Sequence, residues 1–567
     1  MSASRCFLID PTCPTHLHTT NAQNSPSLKP VHLLWLCIHT NGGGYQPVDT
    51  RCYPLHLRRR FASPAHPAED GRTTLGDEVM SEAGFVRRGL RDLVVTAVSL
   101  FALGIAPAQA SGLMIQNVTI IDPITGATPH QDVLIGNETI GAIGDTGSIA
   151  TFAPVDTIDG TGKFLIPALW DAHVHLTYDP EIGNRALALF VANGITRVRD
   201  TGGLLDKMIA VRDFAQAQGS RAPDIYFAGP LIDGVPRVYD GTPARFPEIS
   251  IGAATPAQAE AHVDQLAEAG ASLIKAYEML RPDTFRALVT RATAHGLPVT
   301  AHIPLGMSLQ AVAATGIRGM EHLRNIGLAC SSEADRLLEE RKAMLQEGAS
   351  EEGSALRSHI HGAQRPVAFT TQNRERCATV IATLADARIF QTPTLALNTR
   401  GAFRQFLRPE WREQVKYLPA TVTARWNRAA DKAKDTPISP AYAGFADWSL
   451  SMVGQLHEAD VPIMAGTDTP IGLLTPGFSL HLEMEMLVRA GLTPQEALAS
   501  ATLRPAEFFG LEGEMGSIEV GKSSDLVLLN ANPLENIENT QQIESVIIRG
   551  EVLTRAQLDQ LLEQPAN

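Results

Sequence analysis

Cysteine is scarce in this chain and unevenly placed. Of its six cysteines, Cys6, Cys13, Cys37 and Cys52 fall before residue 80, leaving Cys330 and Cys377 for everything downstream. Those two are free to pair or stay apart, since sequence carries no disulfide geometry. Positive charge is also short. With 47 Lys and Arg against 61 Asp and Glu, the net charge is −14, which argues against a nucleic-acid or anionic-membrane partner. Long apolar runs are missing too: the stretch from Leu93 to Ile105 is short for crossing a bilayer. What the chain does have is length and apolar content. Its 567 residues are 44% hydrophobic, enough for a large core and for more than one domain.

The first 110 residues stand apart. Residues 86–110 read VRRGLRDLVVTAVSLFALGIAPAQA, a basic start, an apolar stretch and a small-residue end at Ala108-Gln109-Ala110. That is the pattern of a secretory signal, with cleavage expected before Ser111 and no membrane anchor left afterwards. The expected location is periplasmic or secreted. Signals sit at the N-terminus, yet 79 residues precede Met80. They are rich in Pro and His and show no amphipathic period, so 1–79 is expected to be a non-native or disordered upstream extension and 80–110 the signal peptide. The part that remains carries 37 of the basic and 53 of the acidic residues, net −16.

Residues 111–165 alternate short apolar runs with turns, as in LMIQNVTIID and DVLIGNETIGAIG, and read as small antiparallel strands. GSIEVGKSSDLVLLN and ESVIIRGEVL near the end read the same way. The two pieces, 111–165 and 511–556, together suit one composite β-sandwich. Between them, over 166–510, the pattern becomes strand, loop, helix, repeated. GITRVRD, DIYFAGP, SLIKAY, LPVTAHI, RGMEHL, ARIFQTPTL and VPIMAGTD are buried-strand candidates. Thr255-Pro256 opens a helix closing at Gly270, Thr493-Pro494-Gln495-Glu496 has capping-box spacing, and Phe285, Leu288, Val289 and Ala292 make a sheet-facing stripe. Alternating βα units of this number imply an α/β fold, a (β/α)8 TIM barrel. Two overlong, helix-rich insertions, 331–386 and 400–455, interrupt it at the expected catalytic face. The second holds Phe403, Phe406, Trp411, Tyr417, Trp426, Tyr442 and Trp448. Most of these are expected to pack the insertion's own core, with a minority lining a substrate pocket.

His173 and His175 (LIPALWDAHVHL), Lys275 (SLIKAYE), His302 (PVTAHIP), His322 (GMEHL) and Asp468 (IMAGTDTP) each follow a short apolar run. In a parallel barrel the C-terminal strand ends converge on one mouth, so residues far apart in sequence can share a pocket. His173 and His175 lie two apart and face one side of a strand. Lys275 is a cation inside an apolar run, costly to bury unless neutralised. Carboxylation by CO₂ would turn it into an anionic ligand. Four imidazoles, one carboxylate and such a lysine suit two divalent ions such as Zn²⁺. Taken singly, each histidine is more often ordinary than a ligand. The joint order is far more specific.

These stretches, with GITRVRDTGG, GFSLHLEMEMLVRAGLTPQEALASAT and GSIEVGKSSDLVLL, resemble the amidohydrolase superfamily, in the branch of imidazolonepropionase- and prolidase-like exported amidases. The resemblance runs from about Val118 to Ile548 and is weakest in the two insertions. It implies one metal on His173, His175 and Asp468, a second on His302 and His322, and N6-carboxylated Lys275 bridging them. It further implies a metal-activated hydroxide attacking an amide, with Asp468 as the catalytic proton carrier. Tyr277 and His481 are the candidate substrate contacts. The expected substrate is a small amide or peptide, a dipeptide or an N-acyl amino acid, ochratoxin-type amides included. A cyclic amide, imide or lactone would use the same metals. A non-catalytic binding protein on the same scaffold is the alternative of another class, and a homo-oligomer is allowed for.

Overall fold

The computed structural model describes residues 35–39, 50–54, 112–136, 138–151, 154–243 and 245–563. The signal segment over 80–110 lies outside the described residues, as does the upstream extension over 1–79 apart from two short strands. The chain divides into two units, Met1–Gly104 and Ile105–Asn567. In the first, Trp35–His39 and Thr50–Pro54 pair antiparallel, with Cys37 opposite Cys52.

The second unit is mixed α/β. Both of its ends enter one hydrogen-bonded sheet. The long strand Gly112–Asp122 pairs antiparallel with Gly126–Gly136, and that with Thr139–Asp145. Its other edge is shared, Val155–Asp159 lying along the first half and Phe164–Pro167 along the second. Phe164–Pro167 then pairs with Leu526–Leu529 from the far end of the chain, Val527 facing Ile166, and Ile543–Ile548 and Glu551–Thr554 complete the sheet. Period-two alternation explains why LVLL is buried throughout. Leu526 and Leu528 join Leu165, Ile120 and Ile547 in the sheet's own core. Val527 and Leu529, with Ile166 and Ile548, enter the main core on the other side.

That main core is wrapped by parallel strands in chain order: Leu169–Val174, Ile195–Asp200, Asp224–Phe227, Leu231–Asp233, Ile274–Ala276, Val299–Ala301, Gly319–Glu321 and Phe390–Thr392. Ser272 N donates to Phe227 O at 2.9 Å, joining the first three strands to the rest. The segment around Ile463–Thr469 bridges Gln391 on one side and Val174 on the other, which closes a ring. This last segment, expected as a full strand, is only bridged. Ala465 N–H donates to Ser500 O instead of to a neighbouring strand, which interrupts the ladder.

Between the strands the helices begin where their caps put them. Thr255 accepts from Gln258 N ahead of Pro256–Glu268, and Gly270 follows at φ 81°. Thr493 and Glu496 make both bonds of the capping box. Phe285, Leu288, Val289 and Ala292 are all buried. The expected insertions are helical: Ala334–Glu347, Gly353–Thr370 and Arg374–Asp386 in one, Pro409–Val415, Ala420–Lys434 and Pro440–Glu458 in the other. Cys330 and Cys377 form a disulfide that ties the start of the first insertion to its last helix. Among the described residues no helix is long and apolar enough to cross a membrane.

Candidate active site

Because the ring strands run parallel, residues at their C-terminal ends meet at one mouth. Seven of the eight residues singled out from sequence line a single cavity there: His173, His175, Lys275, Tyr277, His302, His322 and Asp468. Asp468 Oδ1 lies 3.1 Å from Nε2 of both His173 and His175, and Oδ2 lies 4.0 Å from His322 Nε2. One ligand atom from each of His173, His322 and Asp468 falls within 4.8 Å of the others. The rings of His302 and His322 meet edge-on at 5.0 Å, and Tyr277 lies 4.5 Å from His302 between ring centres. All seven side chains are buried.

The imidazoles are held from behind. His173 Nδ1 contacts Glu321 Oε2 at 2.7 Å, His175 Nδ1 contacts Gly202 O at 2.9 Å, His302 Nδ1 contacts Glu278 Oε1 at 2.8 Å, and His322 Nδ1 contacts Thr394 Oγ1 at 2.8 Å. A partner on Nδ1 fixes the ring and leaves the Nε2 lone pair facing inward, as metal-binding histidines require. Three buried atoms at this point have no hydrogen-bond partner: His173 Nε2, Asp468 Oδ1 and Lys275 Nζ. Buried polar groups are rarely left so. The chemistry of the donor set and these orphaned atoms fit divalent cations.

The electrostatics follow from burial and close partners. Burial pushes the Lys275 amine down to about 8 against the opposing charges of Glu321, 4.0 Å away, and Asp468. Burial also holds His302 and His322 well below the usual imidazole range. For His175 burial acts downward as well, but the close Asp468 carboxylate, 3.1 Å from its Nε2, outweighs it and the net shift is upward. Asp468 itself is raised by burial and lowered more by His322 and His173, so it stays ionised. Asp171, two residues before His173, accepts from Thr467 Oγ1 at 2.7 Å and Thr467 N at 3.0 Å, while burial pushes it up to about 7.

The backbone is strained where it presents these groups. His322, Leu323, Asn325, Thr394 and Asp468 all have φ between 49° and 66°, conformations that cost of order 1–3 kcal/mol each and persist where surrounding packing enforces them. Gly466 permits a close approach of the strands here: a Cβ there would sit 2.6 Å from Thr392 Cγ2 and 2.8 Å from His173 N.

His481 is a correction. It was expected near the substrate, but its Nδ1 contacts Thr540 Oγ1 at 2.9 Å and its Nε2 contacts Asn193 O at 3.1 Å. Burial lowers it to about 4. The helix Phe478–Arg489 turns this face inward, against the 3-10 turn at Ile537–Gln541, and His481 does not line the cavity. Sequence reasoning also missed the carboxylates behind the histidines. Glu321 takes Arg199 Nη2 at 2.9 Å besides His173 and Thr300. Glu278 takes Arg357 Nε at 3.0 Å and His361 Nε2 at 2.6 Å besides His302. The signal was present: Glu321 directly precedes His322, and Glu278 follows Tyr277. A charged residue inside an apolar strand pattern calls for a buried partner.

Of the second insertion's aromatics, Phe406, Trp411 and Trp426 are buried against one another, but as part of the main core and not of a separate core of the insertion, because the insertion docks onto the ring's helices. Tyr442 is exposed, and Trp448 lines a cavity beside the histidines.

Residues 449–553 match the Amidohydrolase family. A 5'-deoxyadenosine deaminase of Methanobrevibacter smithii is 43% identical over 70 residues, 12% of this chain and 16% of that one. An imidazolonepropionase of Geobacillus kaustophilus is 36% identical over 104 residues, 18% of this chain and 24% of that one. The chain thus spans about a quarter or less of these curated relatives' length. Among solved structures, a Xaa-Pro dipeptidase with methionine in its active site superposes at TM-score 0.56, 19% identity, over 78% of this chain and 100% of that one. A putative prolidase from Bifidobacterium longum gives 0.55 at 24% identity, over 80% and 98%. These likenesses show a shared fold.

Proposed function

We propose that this chain is a member of the amidohydrolase superfamily, in its imidazolonepropionase- and prolidase-like branch, and that it is an exported, metal-dependent amide hydrolase on a (β/α)8 barrel; the family match over residues 449–553 and the likeness to an imidazolonepropionase and to prolidase folds support this reading. In this reading the closed ring of parallel strands is the barrel, and the sheet drawn from both chain ends is its β-sandwich. The observation that carries the proposal is the convergence of four back-braced imidazoles and Asp468 on one buried point, with His173 Nε2, Asp468 Oδ1 and Lys275 Nζ lacking partners.

His173, His175 and Asp468 would hold one divalent ion, His302 and His322 the other, and N6-carboxylated Lys275 would bridge. An amine brought down to about 8 is partly neutral at physiological pH, the form that adds CO₂. Zn²⁺ pairs of this kind supply hydroxide at neutral pH and polarise a carbonyl. The rest falls to the chain. Asp468, ionised and wedged between His173 and His175, takes the proton released from the attacking water and returns it to the leaving amine nitrogen. Tyr277, stacked near His302, borders the space where a carbonyl would lie and is placed to donate to it. Burial of every member keeps bulk water from competing for these groups.

Export rests on the signal-like segment ending at Ala110. It is supported by the Cys330–Cys377 disulfide, since such bonds persist mainly in oxidising compartments. Purified protein should carry about two divalent ions per chain and cleave some of a panel of dipeptides and N-acyl amino acids. One ion or none in active enzyme would overturn the paired-metal reading. N-terminal sequencing of protein from its native host should begin at Ser111.

A further inference from the structure

A second cavity adjoins the first, and His322 and Arg324 line both. Its walls come from the two insertions that the family resemblance matched least well. The helix Gly353–Thr370 supplies Arg365 and Phe369, and the helix Pro440–Glu458 supplies Phe445 and Trp448. The three rings form a box. Phe369 meets Trp448 edge-on at 5.1 Å and Phe445 edge-on at 5.9 Å, while Phe445 and Trp448 lie nearly parallel at 6.0 Å. Gly327 passes close beneath, where a Cβ would stand 3.3 Å from Phe369 and 3.4 Å from Trp448.

Two guanidinium groups face this apolar box. Among the described residues neither the Arg324 nor the Arg365 side chain forms an ion pair or hydrogen bond, and Arg324 Nε is buried without a partner. Burial brings Arg365 down to about 9. The carboxylate whose charge reaches Arg365 is Glu278, and it is already committed to His302, Arg357 and His361. Two guanidinium groups lining one cavity without an ion-pair partner call for an anion from outside. The backbone reinforces this: residues 322, 323 and 325, on both sides of Arg324, take the left-handed conformation, a strained arrangement that fixes where Arg324 emerges.

We propose that this cavity is the subsite for the carboxyl-bearing half of the amide substrate, an aromatic amino-acid residue whose carboxylate lies on Arg324 and Arg365 and whose ring lies among Phe369, Phe445 and Trp448. The inference rests on the amide-hydrolase reading and narrows its substrate to N-acyl aromatic amino acids and dipeptides ending in one. In the reaction a water oxygen bonds to the acyl carbon and the C–N bond breaks. Both protons of that water end on the amine nitrogen, which leaves as an ammonium group. The products are the acyl carboxylate and a free aromatic amino acid.

The wild-type, metal-loaded enzyme is offered N-acetyl-L-phenylalanine, N-acetyl-L-alanine, which lacks the ring, and N-acetylphenethylamine, which lacks the carboxylate. kcat/KM should fall about 10- to 100-fold for either omission, the scale of one charged hydrogen-bonding group or one buried ring. Arg365→Gln should raise KM for N-acetyl-L-phenylalanine by a similar factor with kcat nearly kept, and leave N-acetylphenethylamine unaffected. Arg365→Lys should recover part of the loss. Independently of turnover, calorimetric titration should show that L-phenylalanine binds and phenethylamine does not. Amide cleavage with no preference among the three substrates would overturn the subsite and leave the hydrolase reading standing. If no amide is cleaved but L-phenylalanine still binds through Arg365, the subsite stands and the hydrolase reading falls.

Discussion

Asp468 carries two duties at one carboxylate, and a single substitution separates them. Asn keeps the size and one oxygen but cannot accept a proton at neutral pH. Asp468→Asn should therefore keep most of the metal while kcat drops by roughly 10²-fold or more, the range for losing general acid–base help. Metal analysis and turnover on the same preparation decide this, and an active Asn variant would move the proton to another group. Lys275→Ala should lose metal as well as activity, with acetate restoring part by replacing the carboxylated amine. The braces behave differently. Glu278 is raised by burial but lowered further by Arg357 and His361, so its carboxyl sits well below the ordinary range. A depressed folded value means that its stabilisation is complete above the unfolded carboxylate value, near 4.3, and is lost as pH falls through the folded value. Glu278→Gln would strand Arg357 and should cost about 3–5 kcal/mol at pH 7. Urea titrations should show the gap to wild type closing as the pH drops well below about 4.

At the scale of elements, the helix Gly353–Thr370 serves the site from one side. Arg357, His361, Arg365 and Phe369 recur every fourth residue and so share one face. The first two hold Glu278, which fixes His302, and the last two line the adjoining cavity. The disulfide secures this insertion at its ends, closing a loop with a sequence separation of 47. Cys330→Ser with Cys377→Ser should lower stability by about 2–4 kcal/mol, read as a lower melting temperature, with the metals still bound because neither cysteine touches the histidine cluster. Glu483 plays a similar part for the helix Leu395–Phe403. It accepts from Leu395 N at 2.8 Å and Ala396 N at 2.7 Å, and burial pushes it up to about 8. Removing it should loosen the turn that starts at Thr394, the partner of His322.

Across the second unit, Ile105–Asn567, its two ends form a single sheet whose inner face is part of the main core. Leu526–Leu529 lies beside Phe164–Pro167 with both faces buried, and Arg185 donates to Leu561 O at 2.7 Å near the final helix turn. Ending the chain near residue 510 should therefore expose the Ile166 face and yield insoluble protein. Recovery of soluble, folded protein from that truncation would show that the ring stands alone. Much of this was readable from sequence. Period-two runs marked both halves of the sheet, Thr-Pro caps marked helix starts, and the ends of apolar runs marked the six ligand candidates and Tyr277, because each depends on local periodicity and side-chain chemistry. What tertiary structure alone decided was direction and partnership. His481 has the same local sequence setting on a helix whether it faces substrate or core, and only packing against Thr540 and Asn193 turned it inward. Glu278 and Glu321 became braces, and Arg324 and Arg365 were left without counter-charges, through contacts between segments many tens of residues apart. Such contacts arise from the closing of the ring and the docking of the insertions, which no local pattern encodes.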